Sequence, residues 1–406
     1  MHEPVSNPAR RRFLAVSLKA TAGLLLLPRL GRGLMATQTG AVLDAPAGVL
    51  DVPTAGYPLL EIAGSHAEIG YRIGTAMKGP IATHLEHSRI YPACLEYLQG
   101  EGKKTVHRML AHARDRFAPF VEELQGMAEG LGIPFLSLFA FNCRSEIELL
   151  KQPSGCSTIA LHDGDRMILA HNEDGDDLNI GRMFLVQVTP PSGVMFVSFV
   201  YPGLLPGNGP GFNVYGMAQS TNYIQPREVA DGAPRYFIGR ALLEAKSLTE
   251  AIELVTMTPR AFSWHYNLFS LAEKKILSVE TIAAPEPRHD ILQVEGLYIH
   301  TNHLLHPVFA AENDGAAPVF DVPYGSSTTR YDVLTRTVAA QGPPADADGI
   351  LQLLSLHEGR PYSPCRHPEG EVHGATLGTA VFAAPVKGMR LYHGNPCLGM
   401  QKTYVL

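Results

Sequence analysis

Gly155-Cys156-Ser157-Thr158-Ile159-Ala160 puts a thiol at the head of a β-prone run, directly after a glycine. A thiol in that place suits attack on its own preceding carbonyl. Glycine permits the unusual backbone geometry that an N-to-S acyl shift needs, and hydrolysis of the thioester then frees Cys156 as a new N-terminus. The α-amine so released, with an ordinary pKa of about 7.7 to 8.0, can act as general base near neutral pH without a histidine partner. Taken alone, Gly-Cys-Ser-Thr is equally the pattern of a buried structural cysteine.

The elements that must position this thiol follow from patterning. From His66 to Leu150 apolar residues recur at helical spacing (Ile69, Ile73, Met77 and Ile81, then Val121, Leu124 and Ala128), with Pro80, Pro119 and Pro134 as punctuation. After Gly155 the pattern changes to short β-prone runs, 157–161, 167–171, 183–189 and 194–200, separated by Asp-Gly and Pro-Pro-Ser-Gly turns. Helix returns over 233–257, strands over 263–271, 276–282 and 293–300, helices over 331–340 and 347–356, and strands over 376–383, 389–393 and 403–406. Helices, hairpins, helices and hairpins in that order predict an α+β fold rather than βαβ alternation.

Composition narrows the function classes. The chain has 406 residues, 45% apolar and 18% charged, enough to bury a large core. Residues 1–36 hold Arg10, Arg11, Arg12, Lys19, Arg29 and Arg32 against Glu3 alone, and 37–406 hold 27 basic and 38 acidic residues, a net −11. That charge argues against nucleic acid or an anionic membrane surface as partner, and for a small molecule. Arg10-Arg11-Arg12-Phe13-Leu14 followed by the apolar stretch Ala20–Leu27 reads as a twin-arginine-like export signal, cut between Ala36 and Ala47, with a periplasmic or secreted product. No run is long enough for stable membrane insertion.

Other motifs fail on inspection. Gly207-Asn208-Gly209-Pro210-Gly211 is a turn and not a dinucleotide loop, since Pro210 lacks an amide for phosphate. Asn172-Glu173-Asp174-Gly175 has the wrong ligand register for calcium. His300-Thr301-Asn302-His303 spaces two imidazoles on a strand end, and neither HExxH nor GxSxG occurs. Five cysteines, Cys94, Cys143, Cys156, Cys365 and Cys397, leave one unpaired in an oxidising compartment. None stands in a Cys-x-x-Cys spacing, which argues against structural zinc, so neither metal nor cofactor is expected. The four cysteines other than Cys156 allow three full pairings, which stay open.

Eighteen residues after Cys156 stands Asp174, in His171-Asn172-Glu173-Asp174; then come Gly211-Phe212-Asn213-Val214-Tyr215-Gly216-Met217-Ala218, Gly296 to His303, and Gly374-Ala375-Thr376-Leu377. With Gly64, Gly70 and Gly74 early on and Gly394-Asn395-Pro396 near the end, this succession resembles the isopenicillin-N acyltransferase-like family of self-cleaving N-terminal nucleophile cysteine hydrolases. The resemblance implies a four-layer αββα sandwich. It implies cleavage between Gly155 and Cys156 into an α fragment (37–155) and a β fragment (156–406) that stay associated, and amide cleavage or acyl transfer through a thioester on Cys156. It implies Asp174 as the carboxylate that orients the freed amine and Asn302 as the amide donor to the oxyanion. Asn172 and His373 are candidate supports, Asn172 being equally an Asx-turn residue, and Trp264 is either core or a site wall. Two departures stand out. Val372-His373 occupy the place of a Ser-Arg pair found in penicillin-forming members, which argues against penicillin acyl transfer. Glu173 stands where many members have Trp, which implies a more polar pocket rim. Two rival readings are an exported binding module of the same fold and a metal-dependent hydrolase using His300, His303, Asp174 and Asp176.

Overall fold

The computed structural model describes residues 56–147, 155–225, 228–284, 286–309 and 323–406; the basic segment 1–36 and its cleavage region lie outside the described residues. The N-terminal part opens with strand β1 (Leu59–Ala63) and continues through helices α1 (His66–Ala76), α2 (Lys78–His87), α3 (Ile90–Gln99), α4 (Lys103–Leu131) and α5 (Phe135–Asn142). Ser65 starts α1 with a capping box, its side chain accepting from the Glu68 amide while Glu68 accepts from Ser65. Gly132 ends α4 in the left-handed region at φ 76°. Pro119 inside α4 coincides with a kink at Phe117 (φ −137°, ψ 38°), because proline removes an amide donor and crowds the preceding turn.

Helices α1 and α4 meet backbone to backbone. A Cβ built on Gly70 would run into the Glu123 carbonyl, and one on Gly126 into the Ala67 carbonyl. The obstacles are main chain on both sides, so no rotamer change relieves them. Gly126→Ala should therefore lower stability by about 1–3 kcal/mol, read as a lower urea midpoint at unchanged slope; an unchanged midpoint would mean the helices can separate freely. Between Gly70 and Gly126 lies Glu123, fully buried and paired with Arg240 (2.8 Å).

Beyond Gly155 the chain builds two sheets. One runs β1, β4 (Phe184–Thr189), β5 (Phe196–Val200), β6 (Gly211–Asn213), β7 (Met217–Tyr223), β8 (Trp264–Ser270), β9 (Lys275–Ile282) and β10 (Arg288–Gln293). The other runs β11 (Gly296–His300), β2 (Ser157–Asp163), β3 (Arg166–Asp176), β12 (Gly374–Ala383), β13 (Gly388–His393) and β14 (Gln401–Val405). Their inner faces meet where Phe212 and Phe269 pack on Phe382 at 6.5 and 6.4 Å between ring centres. Ile159, Leu161, Ile168 and Val381, on the opposite face of the second sheet, bury against Leu334 of α8 (Pro323–Gln341) and Ile350 and Leu354 of α9 (Ala347–Leu354). Helices α6 (Arg235–Leu242) and α7 (Leu248–Thr256) join the N-terminal helices in the core of the first sheet. The result is the expected αββα sandwich. β1 belongs to the N-terminal segment yet pairs in parallel with β4, Leu59 opposite Leu185, so the helical part and the sheet part share one core.

The sequence pattern predicts no strand at β1, β6 or β7, and three further elements differ from expectation. The helical stretch 233–257 is two helices, α6 and α7, with Ser247 capping the second. The run 293–300 divides at Gly296, which takes φ 73° and sends β10 and β11 into different sheets. Most consequentially, β3 continues past His171 to Asp176, carrying a polar stretch that reads as a turn through the centre of a sheet.

Candidate active site

Cys156 lies immediately before β2, and β2 is held between β11 and β3. Strand alternation then decides which side chains it meets. His171 and Glu173 of β3 project between the sheets, whereas Asn172 and Asp174 project toward the helical side, where their partners lie.

The Cys156 thiol is 5% exposed. It makes long contacts to Glu173 Oε1 (3.9 Å) and the Asp174 carbonyl oxygen (4.0 Å). Burial, followed by the charges of Glu173 and Asp174, raises its pKa well above that of an ordinary thiol. In the uncleaved chain the group is therefore a protonated thiol needing a base. The Cys156 carbonyl accepts from Arg330 Nη1 (2.6 Å) and Asn222 Nδ2 (3.2 Å). Arg330, on α8 and fully buried, also donates to Ser157 Oγ (2.9 Å) and Asn302 Oδ1 (2.7 Å). A Cβ on Gly155 would collide with this guanidinium, so glycine here admits the arginine as well as giving backbone freedom.

Asp174 is fully buried. Its Oδ1 accepts from Thr376 Oγ1 (2.8 Å) on the neighbouring strand β12, and its Oδ2 has no hydrogen-bond partner among the described residues. Burial raises its pKa to about 7, opposed by the guanidiniums of Arg366 and Arg330. The folded chain thus holds a proton on Asp174 that the unfolded chain releases near pH 4. Stability from this group is complete below pH 4 and is lost as pH rises toward 7. In a Cys156→Ala background, Asp174→Asn should flatten the fall in urea midpoint between about pH 4 and 7, where one such proton contributes up to about 1.4 kcal/mol per pH unit. An identical slope in both chains would contradict a buried, protonated Asp174.

Asn302, just after β11, donates through Nδ2 to the Tyr223 carbonyl (3.0 Å), and its own amide donates to Ser327 Oγ (2.7 Å). A side-chain amide has two N–H groups, so the second remains for another acceptor. Asn172 is not in a turn. It sits in β3, donates to the Leu354 and Pro364 carbonyls (both 2.9 Å) and accepts from Thr379 Oγ1 (2.6 Å), which pins the 355–364 loop to the sheet. Gly155, Cys156, Asp174, Asn302 and Asn172 are thus brought together. His373 is not: it is half-exposed and its Nδ1 pairs with Asp177 Oδ2 (3.1 Å). Trp264 is core, stacked under the Arg235 guanidinium (3.7 Å). The four residues of the metal-hydrolase reading are dispersed. His300 pairs with Glu280 (2.9 Å), His303 with Ser327 Oγ (2.8 Å) and Asp174 with Thr376, while Asp176 caps the short helix Asp177–Asn179.

Several site residues escaped the sequence reading. Glu173 is not on a pocket rim but buried beside the Cys156 thiol, accepting from Tyr201 OH (2.6 Å), with His171 Nε2 3.2 Å away. His171 continues through Thr158 (2.8 Å) to Asn222 (2.9 Å) and His265 (3.0 Å), a polar seam between the sheets. The cation that position 373 lacks is supplied by Arg366 and Arg330, whose charges act on Asp174. An arginine in α8, a helix with little apolar asymmetry, carries no local signal that it points inward.

A thiol heading an internal strand of an αββα sandwich, with buried carboxylate, amide and guanidinium around it, defines the class of N-terminal nucleophile hydrolases. The model of the acyl-coenzyme A:6-aminopenicillanic acid acyl-transferase family matches residues 161–397, more than half of the chain, and the chain belongs to that family. It is similar to a β-alanyl-dopamine/carcinine hydrolase of Drosophila melanogaster, 26% identical over 84% of this chain and 93% of that protein. It is also similar to the 40 kDa form of an acyl-coenzyme A:6-aminopenicillanic-acid-acyltransferase of Emericella nidulans, 23% identical over 79% of this chain and 87% of that one. Among solved structures, a Caenorhabditis elegans ortholog of N-acylethanolamine-hydrolyzing acid amidase matches with TM-score 0.40 and 13% identity, covering 62% of this chain and all of that one. The protein is therefore an acyltransferase or amide hydrolase.

Proposed function

We propose that the protein is an exported cysteine amidohydrolase that matures by cutting itself between Gly155 and Cys156 and then hydrolyses small N-acyl amines. The observation that carries this reading is the buried Asp174 Oδ2, without a hydrogen-bond partner among the described residues, in the residue whose carbonyl lies 4.0 Å from the Cys156 thiol. Scission of the Gly155–Cys156 bond turns the Cys156 amide nitrogen into an amine, the group a lone buried carboxylate would stabilise.

In maturation, the Cys156 sulfur attacks the Gly155 carbonyl carbon, the C–N bond breaks and the nitrogen takes a proton to become the free amine. Water then hydrolyses the thioester, leaving the Gly155 carboxylate and the Cys156 thiol. In turnover the freed amine accepts the thiol proton, the sulfur attacks a substrate amide, the amine product departs with a proton, and water releases the acid. The free N–H of Asn302 is available to an oxyanion, a contribution on the order of 3 kcal/mol for a preorganised donor. Hydrolysis is favoured over acyl transfer because an exported enzyme meets water rather than acyl thioesters. Small N-acyl amines are the substrate class because the Drosophila relative is named for two such compounds. The α and β fragments stay joined through β1 and the buried Glu123–Arg240 pair.

Intact mass and N-terminal sequencing test the reading. Wild type should yield a β fragment beginning at Cys156, followed by turnover of N-β-alanyl amines in preference to lactams and N-acyl amino acids. A wild-type chain that remains whole and inactive would sink it. Protein that stays in the cytoplasm with residues 1–36 still attached would sink the export part alone.

A further inference from the structure

About the 355–373 loop, on the helical side of the second sheet, His357, Cys365, His367 and Cys397 converge so that one ligand atom from each lies within 4.8 Å of the other three. Neither the family assignment nor the proposed reaction uses them. Cys365 Sγ is 3.7 Å from Cys397 Sγ and 3.7 Å from His367 Nε2; Cys397 Sγ is 3.5 Å from His367 Nε2; and the two Nε2 atoms are 3.2 Å apart. Four ligands on a tetrahedral ion with Zn–S about 2.3 Å and Zn–N about 2.0–2.1 Å stand about 3.8 Å apart for S···S, about 3.6 Å for S···N and about 3.3 Å for N···N. The observed separations follow that pattern for both ligand types. A disulfide requires its sulfurs at about 2.05 Å, and these two thiols are free.

We propose that His357, Cys365, His367 and Cys397 form a Cys2His2 site for a tetrahedral divalent ion of the zinc type. The site is structural, since all four positions are filled by protein and none is left for substrate. Outer contacts fit the same reading: Asn395 Nδ2 donates toward Cys365 Sγ (3.4 Å) and to the Arg366 carbonyl (2.6 Å), orienting a thiolate and the loop that bears it. No Cys-x-x-Cys spacing announces the site, because its ligands come from a loop after α9 and from the short helix Pro396–Leu398 after β13.

The ion would serve the neighbouring chemistry by position. Arg366 stands between ligands Cys365 and His367; its amide donates to Thr376 Oγ1 (2.9 Å), which in turn donates to Asp174 Oδ1 (2.8 Å). Asn172 holds the adjoining Pro364 carbonyl. A bound metal would therefore lock the loop that delivers Arg366 to Thr376 and Asp174.

Cobalt tests this without reference to activity. The Cys156→Ala chain, which removes the thiol of the active site, should take up one equivalent of cobalt under reducing conditions. The expected spectrum has strong tetrahedral d–d bands and thiolate-to-metal charge transfer, both abolished by equimolar zinc. Cys397→Ala should lose the signal, and His357→Cys should keep the metal with roughly half again the charge-transfer intensity, as three thiolates replace two. The last variant keeps the test decisive if Cys397→Ala does not fold. Cobalt that stays weakly coloured and octahedral, a signal unchanged in Cys397→Ala, or a Cys365–Cys397 disulfide in the protein as isolated would overturn the proposal.

Discussion

Cys156→Ala should yield a single uncleaved polypeptide with no measurable amide hydrolysis, and Cys156→Ser a chain that cleaves slowly and turns over poorly. Under the proposed reaction the alanine chain would have no nucleophile for either step, and removing the nucleophile of a serine protease costs on the order of 10⁶ in rate. Serine keeps a hydroxyl, yet its oxygen is a weaker nucleophile than sulfur and holds its proton more tightly. Both variants should fold as well as wild type, because the Cys156 side chain makes only long contacts, 3.9 and 4.0 Å, in the uncleaved chain. Mass spectrometry of the purified chains and hydrolysis of an N-acyl amine are the measurements. Fragmentation of Cys156→Ala at the same bond would assign the cleavage to another group.

Arg330→Met should be nearly as damaging, through a different route. The guanidinium is fully buried and donates to three acceptors at once, the Cys156 carbonyl, Ser157 Oγ and Asn302 Oδ1, while its charge opposes the neutralisation of Asp174. Desolvation lowers its own pKa to about 10, with Asp174 the main opposing influence, so it stays a cation at neutral pH. Methionine fills much of the volume but leaves Ser157 Oγ and Asn302 Oδ1 without this donor, the Cys156 carbonyl with Asn222 alone, and Asp174 with one cation fewer. Removing one member of a buried charged set costs about 3–5 kcal/mol, visible as a lower urea midpoint. Self-cleavage should slow by about 10²-fold or more as Asn302 loses the partner that aligns it. Arg330→Lys should fall between, since a compact ammonium keeps the charge but cannot span the same three acceptors. A midpoint in Arg330→Met within about 0.5 kcal/mol of the parent would show that the network carries little.

Local pattern was enough for the class of fold. Amphipathic spacing in the N-terminal half, hairpin punctuation after Gly155 and the run of helices and strands that follows reproduce most of the observed order of elements. Errors arose where local propensity and tertiary demand disagree. His171-Asn172-Glu173-Asp174 has the composition of a turn, yet each member has a polar atom engaged by a group distant in sequence: Thr158, Thr379, Tyr201 and Thr376. Such a stretch can be a central strand only when those partners are already in place.

The sequence alone therefore determined the position of the thiol, the spacing from Cys156 to Asp174 and on to Asn302, and the α+β class, because these follow from residue types and near-neighbour periodicity, whereas the four-layer order was implied by the family resemblance. Tertiary structure alone decided which cations face Asp174, what lies beside the thiol, and which histidines meet which cysteines. Arg330 is separated from Cys156 by 174 residues, and Cys365 from Cys397 by 32. Contacts across such distances are set by how sheets and helices stack, and that stacking leaves no periodic mark on the residues it brings together.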